Sequence, residues 1–169
     1  MSHPIVALAR EAITSYVLHG SRIAPPEKPM QLPSSRAGAF VSLHLDDELR
    51  GCIGTIEPQR PTLAEEVIAN AISAATQDPR FAPVRADELD RLDISVDVLE
   101  PAERIHGLTE LDPMQYGVIV ELGERRGLLL PDLEGVDTAE KQVGIALRKA
   151  WISPHEAYAL YRFRVTRYR

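Results

Sequence analysis

The sequence predicts an α+β fold, and three observations carry that prediction. Strand-like apolar alternations arrive in pairs across short polar turns, and helical periodicities lie between the pairs. The strands do not alternate one by one with helices, as a doubly wound parallel sheet requires. At 169 residues, with 44% hydrophobic and 26% charged side chains, the chain fits one globular domain, 1–169, with a sizeable core.

The elements follow in order. Ile5, Leu8, Ala9, Ala12, Ile13, Tyr16 and Val17 form one apolar helical face that opens after Pro4 and closes at Gly20. Pro25, Pro26, Pro29 and Pro33 exclude helix and central strand, so this stretch reads as an extended loop. Ala39, Val41, Leu43 and Leu45 alternate with Phe40, Ser42 and His44 as a half-buried strand; after the turn Asp46-Asp47-Glu48, its hairpin partner runs from Leu49 to Ile56. Thr62 with Glu65 is a capping box for a helix reaching about Thr76.

The run Asp78-Pro79-Arg80-Phe81-Ala82-Pro83 ends that helix in an ordered turn. A short helical piece around Ala86 to Leu89 and a strand from Leu92 to Leu99 come next. Val118 to Leu122 and Gly127 to Leu130 form a second hairpin across Gly123-Glu124. Asp137 with Glu140 begins a helix ending near Ala150, and Ser153, Pro154 and Glu156 repeat the capping pattern. A last strand sets Ala159, Tyr161, Phe163 and Val165 on one face and its arginines on the other, where they read as a solvated face.

Several classes are excluded at this level. The net charge of −6 gives no general reason to bind nucleic acid, although Arg162, Arg164, Arg167 and Arg169 crowd the last residues. No phosphate-binding loop or dinucleotide fingerprint occurs, because Gly51-x-x-Gly54 lacks the third glycine and the following helix. The five histidines have no metal-ligand spacing, so no metal and no cofactor is expected. The sole cysteine, Cys52, forms no internal disulfide and fits a reducing compartment. There is no membrane-length apolar run and no secretory leader pattern, so the expected location is cytoplasmic.

The chemistry concentrates in Arg50-Gly51-Cys52-Ile53-Gly54-Thr55. Two glycines inside a strand mark a bulge or the close approach of a ligand or a second backbone. A guanidinium beside a thiol favours the thiolate, which makes Cys52 a candidate nucleophile with Arg50 beside it. The alternative is that Cys52 packs as a small hydrophobe while the glycines admit a helix. In the later turn, Arg80 and Arg50 together suit a carboxylate or phosphate, with Asp78 as candidate base. Gly51, Gly54 and Thr55 complete the candidate binding set. Against this stands a structural reading in which Asp78 caps or pairs with Arg80 and Phe81 fills the core.

These residues resemble a known family. Leu49-Arg50-Gly51-Cys52-Ile53-Gly54 matches the LRGCIG signature of the AMMECR domain. The match extends to Phe40-Val41, to Asp78-Pro79-Arg80-Phe81-Ala82-Pro83-Val84, to Glu88-Leu89 with Ile94-Ser95-Val96 and Pro101, and to Gly127-Leu128-Leu129-Leu130-Pro131. Two positions depart from the pattern: Lys149-Ala150-Trp151-Ile152 stands where members usually read KAGL, and Tyr116 stands where histidine is common.

The resemblance implies two unequal α+β lobes with hairpin-built, mainly antiparallel sheet and flanking helices. Prokaryotic members are called protein A of the AmmeMemoRadiSam system, found beside a Memo-type protein and a radical SAM protein. The leading expectation is therefore an accessory or intermediate-binding component acting with those two partners. The second is a cysteine-dependent enzyme using Cys52, with Arg50 and Arg80, on a small anionic substrate. The third, disfavoured by the acidic balance, is a nucleic-acid-associated regulator.

Overall fold

The computed structural model describes residues 1–28, 30–32 and 34–169. Pro29 and Pro33 of the proline-rich stretch lie outside the described residues. The chain forms helices and two four-stranded sheets, an α+β architecture, and divides into two compact units. One comprises Met1–Leu99 with Thr166–Arg169, the other Glu100–Val165.

In the first unit, α1 (Pro4–His19) starts on His3, whose ring Nδ1 accepts the Ile5 N–H at 3.2 Å. It ends at Gly20, in the left-handed region at φ 67°. β1 (Ala39–Leu45) and β2 (Glu48–Gly54) form the expected hairpin, and β3 (Asp93–Leu99) pairs antiparallel with the other edge of β1. The sheet order is β2-β1-β3-β8, where β8 is Val165–Tyr168. α2 (Leu63–Thr76) begins where Thr62 Oγ1 accepts the Glu65 N–H at 3.2 Å. The core draws Val41 and Leu43 from β1, Val67 and Ile72 from α2, and Ile5 and Ile13 from α1. Each such aliphatic chain contributes about 1.5–3 kcal/mol on leaving water.

In the second unit, the sheet order is β4-β7-β5-β6 with antiparallel pairing throughout. Its strands are β4 (Glu103–Ile105), β5 (Gly117–Leu122), β6 (Arg125–Leu129) and β7 (Ala159–Phe163). α3 (Ala139–Ala150) buries Val143, Ala146 and Leu147 against Val118, Val120 and Leu129.

Five expectations needed correction. β2 ends at Gly54 rather than Ile56. α3 is capped by Thr138, whose hydroxyl accepts the Lys141 N–H at 3.1 Å, while Asp137 pairs with Lys141 instead. Ser153-Pro154-His155-Glu156 is a turn and not a helix start, because the Glu156 carboxylate is held by the Ser153 N–H and by Arg125. The last strand breaks at Arg164 into β7 and β8, which belong to different sheets. Its arginines are not a plain solvated face. Arg162 bonds Glu103 and the Glu110 carbonyl, Arg164 bonds the Tyr116 hydroxyl, and Arg167 grips buried Asp97 with bonds of 2.7 and 3.0 Å.

Candidate functional site

The register of β1 against β2 places Ser42 opposite Cys52 and Leu43 opposite Gly51, with an irregularity just after Leu43. Paired residues share a face, so Ser42 Oγ and Cys52 Sγ meet at 3.3 Å. The thiol is half-buried. A Cβ on Gly51 would lie 2.2 Å from the Ala74 carbonyl oxygen of α2, so the glycine lets that helix rest on the strand. At Gly54 a Cβ would strike the Phe40 ring at 2.3 Å and the Ala39 carbonyl oxygen at 2.5 Å. Both glycines serve close packing.

Arg50 and Arg80 turn inward on the chain itself. Arg50 donates to Glu88 through Nε at 2.9 Å and Nη2 at 3.1 Å, and to the Ala82 and Pro83 carbonyls at 2.8 and 3.2 Å. It clasps β2 to the turn that follows α2. Its guanidinium, ahead of other causes, holds the Glu88 carboxyl down to about 2. Asp78 is 4% exposed and accepts four bonds: from the Cys52 N–H, the Arg80 N–H, Arg80 Nε and Arg80 Nη2, at 2.8–3.1 Å. Arg80 above all, with the Cys52 and Arg80 amides, holds the Asp78 carboxyl well below the usual carboxylate range. A carboxylate so held is a weak proton acceptor, and this geometry uses it as the pin between strand and turn.

Arg80 differs from Arg50 in exposure. Its side chain is 55% exposed, Nη2 also reaches the Cys52 carbonyl at 3.4 Å, and Nη1 has no bond among the described residues. Phe81 is half-buried beneath that guanidinium at 5.4 Å; Val84 is the residue of this turn that enters the core.

Thr55 belongs to a separate network. Its hydroxyl donates to Glu66 at 2.9 Å and accepts from Asn70 at 3.2 Å, while Asn70 also donates to the Ala39 carbonyl. Glu66, 1% exposed, further accepts the Gln59 and Arg60 N–H groups at 2.7 and 3.0 Å. Ser42, Glu66, Asn70 and Glu88 are not among the candidate site residues read from the sequence. Glu66 and Asn70 carried a readable signal, since they fall three and seven residues after Leu63 on the inward side of α2.

The polar groups of Arg50 and Asp78 thus close on their own chain. The model of the family described as AMMECR1 matches residues 6–169. The chain belongs to the AMMECR1 family. A Thermotoga maritima protein is 54% identical over 170 residues, covering 99% of this chain and 98% of its own. A Clostridium acetobutylicum protein is 49% identical over 98% of this chain, which spans only 36% of that relative's length. An uncharacterized Pyrococcus horikoshii protein of known crystal structure superimposes with a TM-score of 0.89 at 35% identity, covering 96% of this chain and 88% of its own.

Tyr116 and Trp151, the two positions where the resemblance implied other residues, differ in their surroundings. Tyr116 is flanked by the guanidiniums of Arg162 and Arg164, 4.3 and 4.9 Å from its ring centre. Trp151 caps α3 in the left-handed region at φ 58° and is 87% exposed. Glycine is the natural residue for that conformation. Among the described residues no helix is long and apolar enough to cross a membrane.

Proposed function

We propose that this AMMECR1 domain is an accessory or intermediate-binding component that works with Memo-type and radical SAM proteins. The observation that supports the reading is the closure of the signature: Arg50 and Asp78 direct their polar atoms at Glu88, Arg80 and backbone groups of the same unit. Such a clasp fixes a surface without supplying a base. The Clostridium relative, in which this domain is 36% of a longer chain, fits a module that acts beside another.

The test is co-purification of the full chain with the Memo-type and radical SAM proteins of its own genome. A stable complex with either is expected. Failure with both, at micromolar concentrations and low salt, overturns the reading.

A second reading, a cysteine-dependent enzyme acting on a small anion, draws on the half-buried Cys52 thiol and the outward Nη1 of Arg80. It requires rapid alkylation of native Cys52 with a depressed apparent pKa. A thiol that reacts only after denaturation removes it. The nucleic-acid reading gains no support from Arg162, Arg164 and Arg167, which already have acceptors within the chain.

A further inference from the structure

A cavity of about 200 Å³ in the first unit is lined by Arg22, Ile23, Arg60, Pro61, Glu65 and Ile68. It lies apart from the Cys52 cluster in residue content and shares no side chain with it. Its charged groups are the unusual feature. Neither the Arg22 nor the Arg60 guanidinium has an acceptor among the described residues. Glu65 does not fold back on the cap as the sequence predicted: its N–H is taken by Thr62, but its Oε2 is shut off from solvent with no hydrogen-bond partner. A dry, unpaired carboxylate oxygen is costly. Its other oxygen, Oε1, also has no partner among the described residues, so the carboxylate stands in the cavity lining with its charge uncompensated.

We propose that this cavity binds a free aliphatic α-amino acid, its carboxylate on Arg22 and Arg60, its ammonium on Glu65, and its side chain against Ile23, Pro61 and Ile68. The chemistry selects this class in two steps. Guanidinium forks match a carboxylate, and a carboxylate matches an ammonium, so the ligand carries both charges. A space of this size holds the two charges only a few bonds apart, which an α-amino acid provides and a peptide does not, because a peptide separates its termini. The apolar lining then favours a branched aliphatic side chain over a polar one. The site is independent of the partnership proposed above, and either stands without the other.

The probe is L-leucine, titrated calorimetrically into the full chain, with leucinamide, 4-methylpentanoate and trileucine as comparison ligands. Binding of L-leucine is expected, weakened about tenfold or more when either the carboxylate or the ammonium is missing, and lost for trileucine. Arg60→Gln and Glu65→Gln each weaken L-leucine by a similar factor, Arg60→Gln with the unfolding midpoint unchanged. Crosswise loss sharpens the assignment: Glu65→Gln costs nothing for 4-methylpentanoate, and Arg60→Gln costs nothing for leucinamide. Absence of L-leucine binding at millimolar concentration overturns the proposal. Equal binding by all four ligands, or L-leucine binding untouched by both substitutions, overturns it as well.

Discussion

The two units solve the same packing problem and differ in where they place charge. In the first, the second strand of a hairpin carries Gly51 beneath the Ala74 carbonyl of α2; in the second, Gly127 lies beneath the Ala146 carbonyl of α3, and a Cβ at either would sit 2.2 Å from that oxygen. Both helices start on a threonine whose hydroxyl takes the N–H three residues on. The polar residue four positions after that cap is buried in both, Glu66 at 1% and Gln142 at 0% exposure. There the likeness stops. Glu66 is satisfied by three donors, whereas Gln142 bonds the Tyr116 carbonyl and leaves its Oε1 unpaired. The first unit buries the carboxylates of Asp78, Glu88 and Asp97 against arginines; ion pairs of the second, such as Arg125–Glu156 and Lys141–Asp137, lie at the surface. Shared backbone packing thus coexists with an electrostatic clasp peculiar to the unit that carries the signature.

The packing half of this comparison is open to the harshest test. Gly51→Val and Gly127→Val each drive a branched side chain into a helix carbonyl, and each should cost about 4 kcal/mol in urea unfolding. Hydrogen exchange should localise the damage to β1, β2 and α2 in the first variant and to β5, β6 and α3 in the second. A neutral outcome at either glycine would break the parallel.

The charge half predicts an asymmetry. Arg50→Met leaves the Glu88 carboxylate, 4% exposed, to Arg85 alone and should cost about 3 kcal/mol. Arg125→Met in the second unit removes an exposed pair and should leave the urea midpoint where it was. Equal losses would show that the clasp is no more important than a surface bridge. Acid titration probes the same contrast. Glu88 is held at about 2 against an ordinary 4.5, so its stabilisation is complete above 4.5 and drains away as the pH falls towards 2. Asp78, also depressed, adds loss in the same direction. Exchange in β2 and the turn after α2 should therefore quicken on acidification before exchange in β5 and β6. The reverse order would sink the assignment.

What the sequence made legible follows from this division. Helices and hairpins were readable because α1, α2 and the two hairpins depend on apolar period and on local stops such as Gly20 and Gly123. The glycines of the signature were readable as close-approach positions, although nothing local says that the approaching atom is Ala74 O. The clasp was half readable. Arg50, Asp78 and Arg80 stood out as charges near a thiol, but their partners are an acceptor, Glu88, 38 residues from Arg50, and a donor, the Cys52 N–H, 26 residues before Asp78. Long-range pairing of that kind leaves no periodic trace. β4 was missed for a related reason: three residues, Glu103–Ile105, become a strand only because β7 offers them an edge.

The smallest effect concerns how α1 and α3, one helix from each unit, end. α1 stops on Gly20 at φ 67° and α3 on Trp151 at φ 58°, the same left-handed cap built from the most and one of the least suitable residues. The cap bonds are intact at Trp151: its N–H reaches the Arg148 carbonyl at 3.2 Å, and the Ile152 N–H reaches the Leu147 carbonyl at 3.0 Å. The indole is 87% exposed and so brings little packing in return. Trp151→Gly should therefore raise stability by about 1 kcal/mol, read as a higher urea midpoint with unchanged slope. Gly20→Trp, the mirror experiment, should lower it by a similar amount, with open space around the added side chain. If Trp151→Gly instead destabilised the chain, the indole would be holding contacts that its exposure conceals, and the end of α3 would cease to be a simple cap.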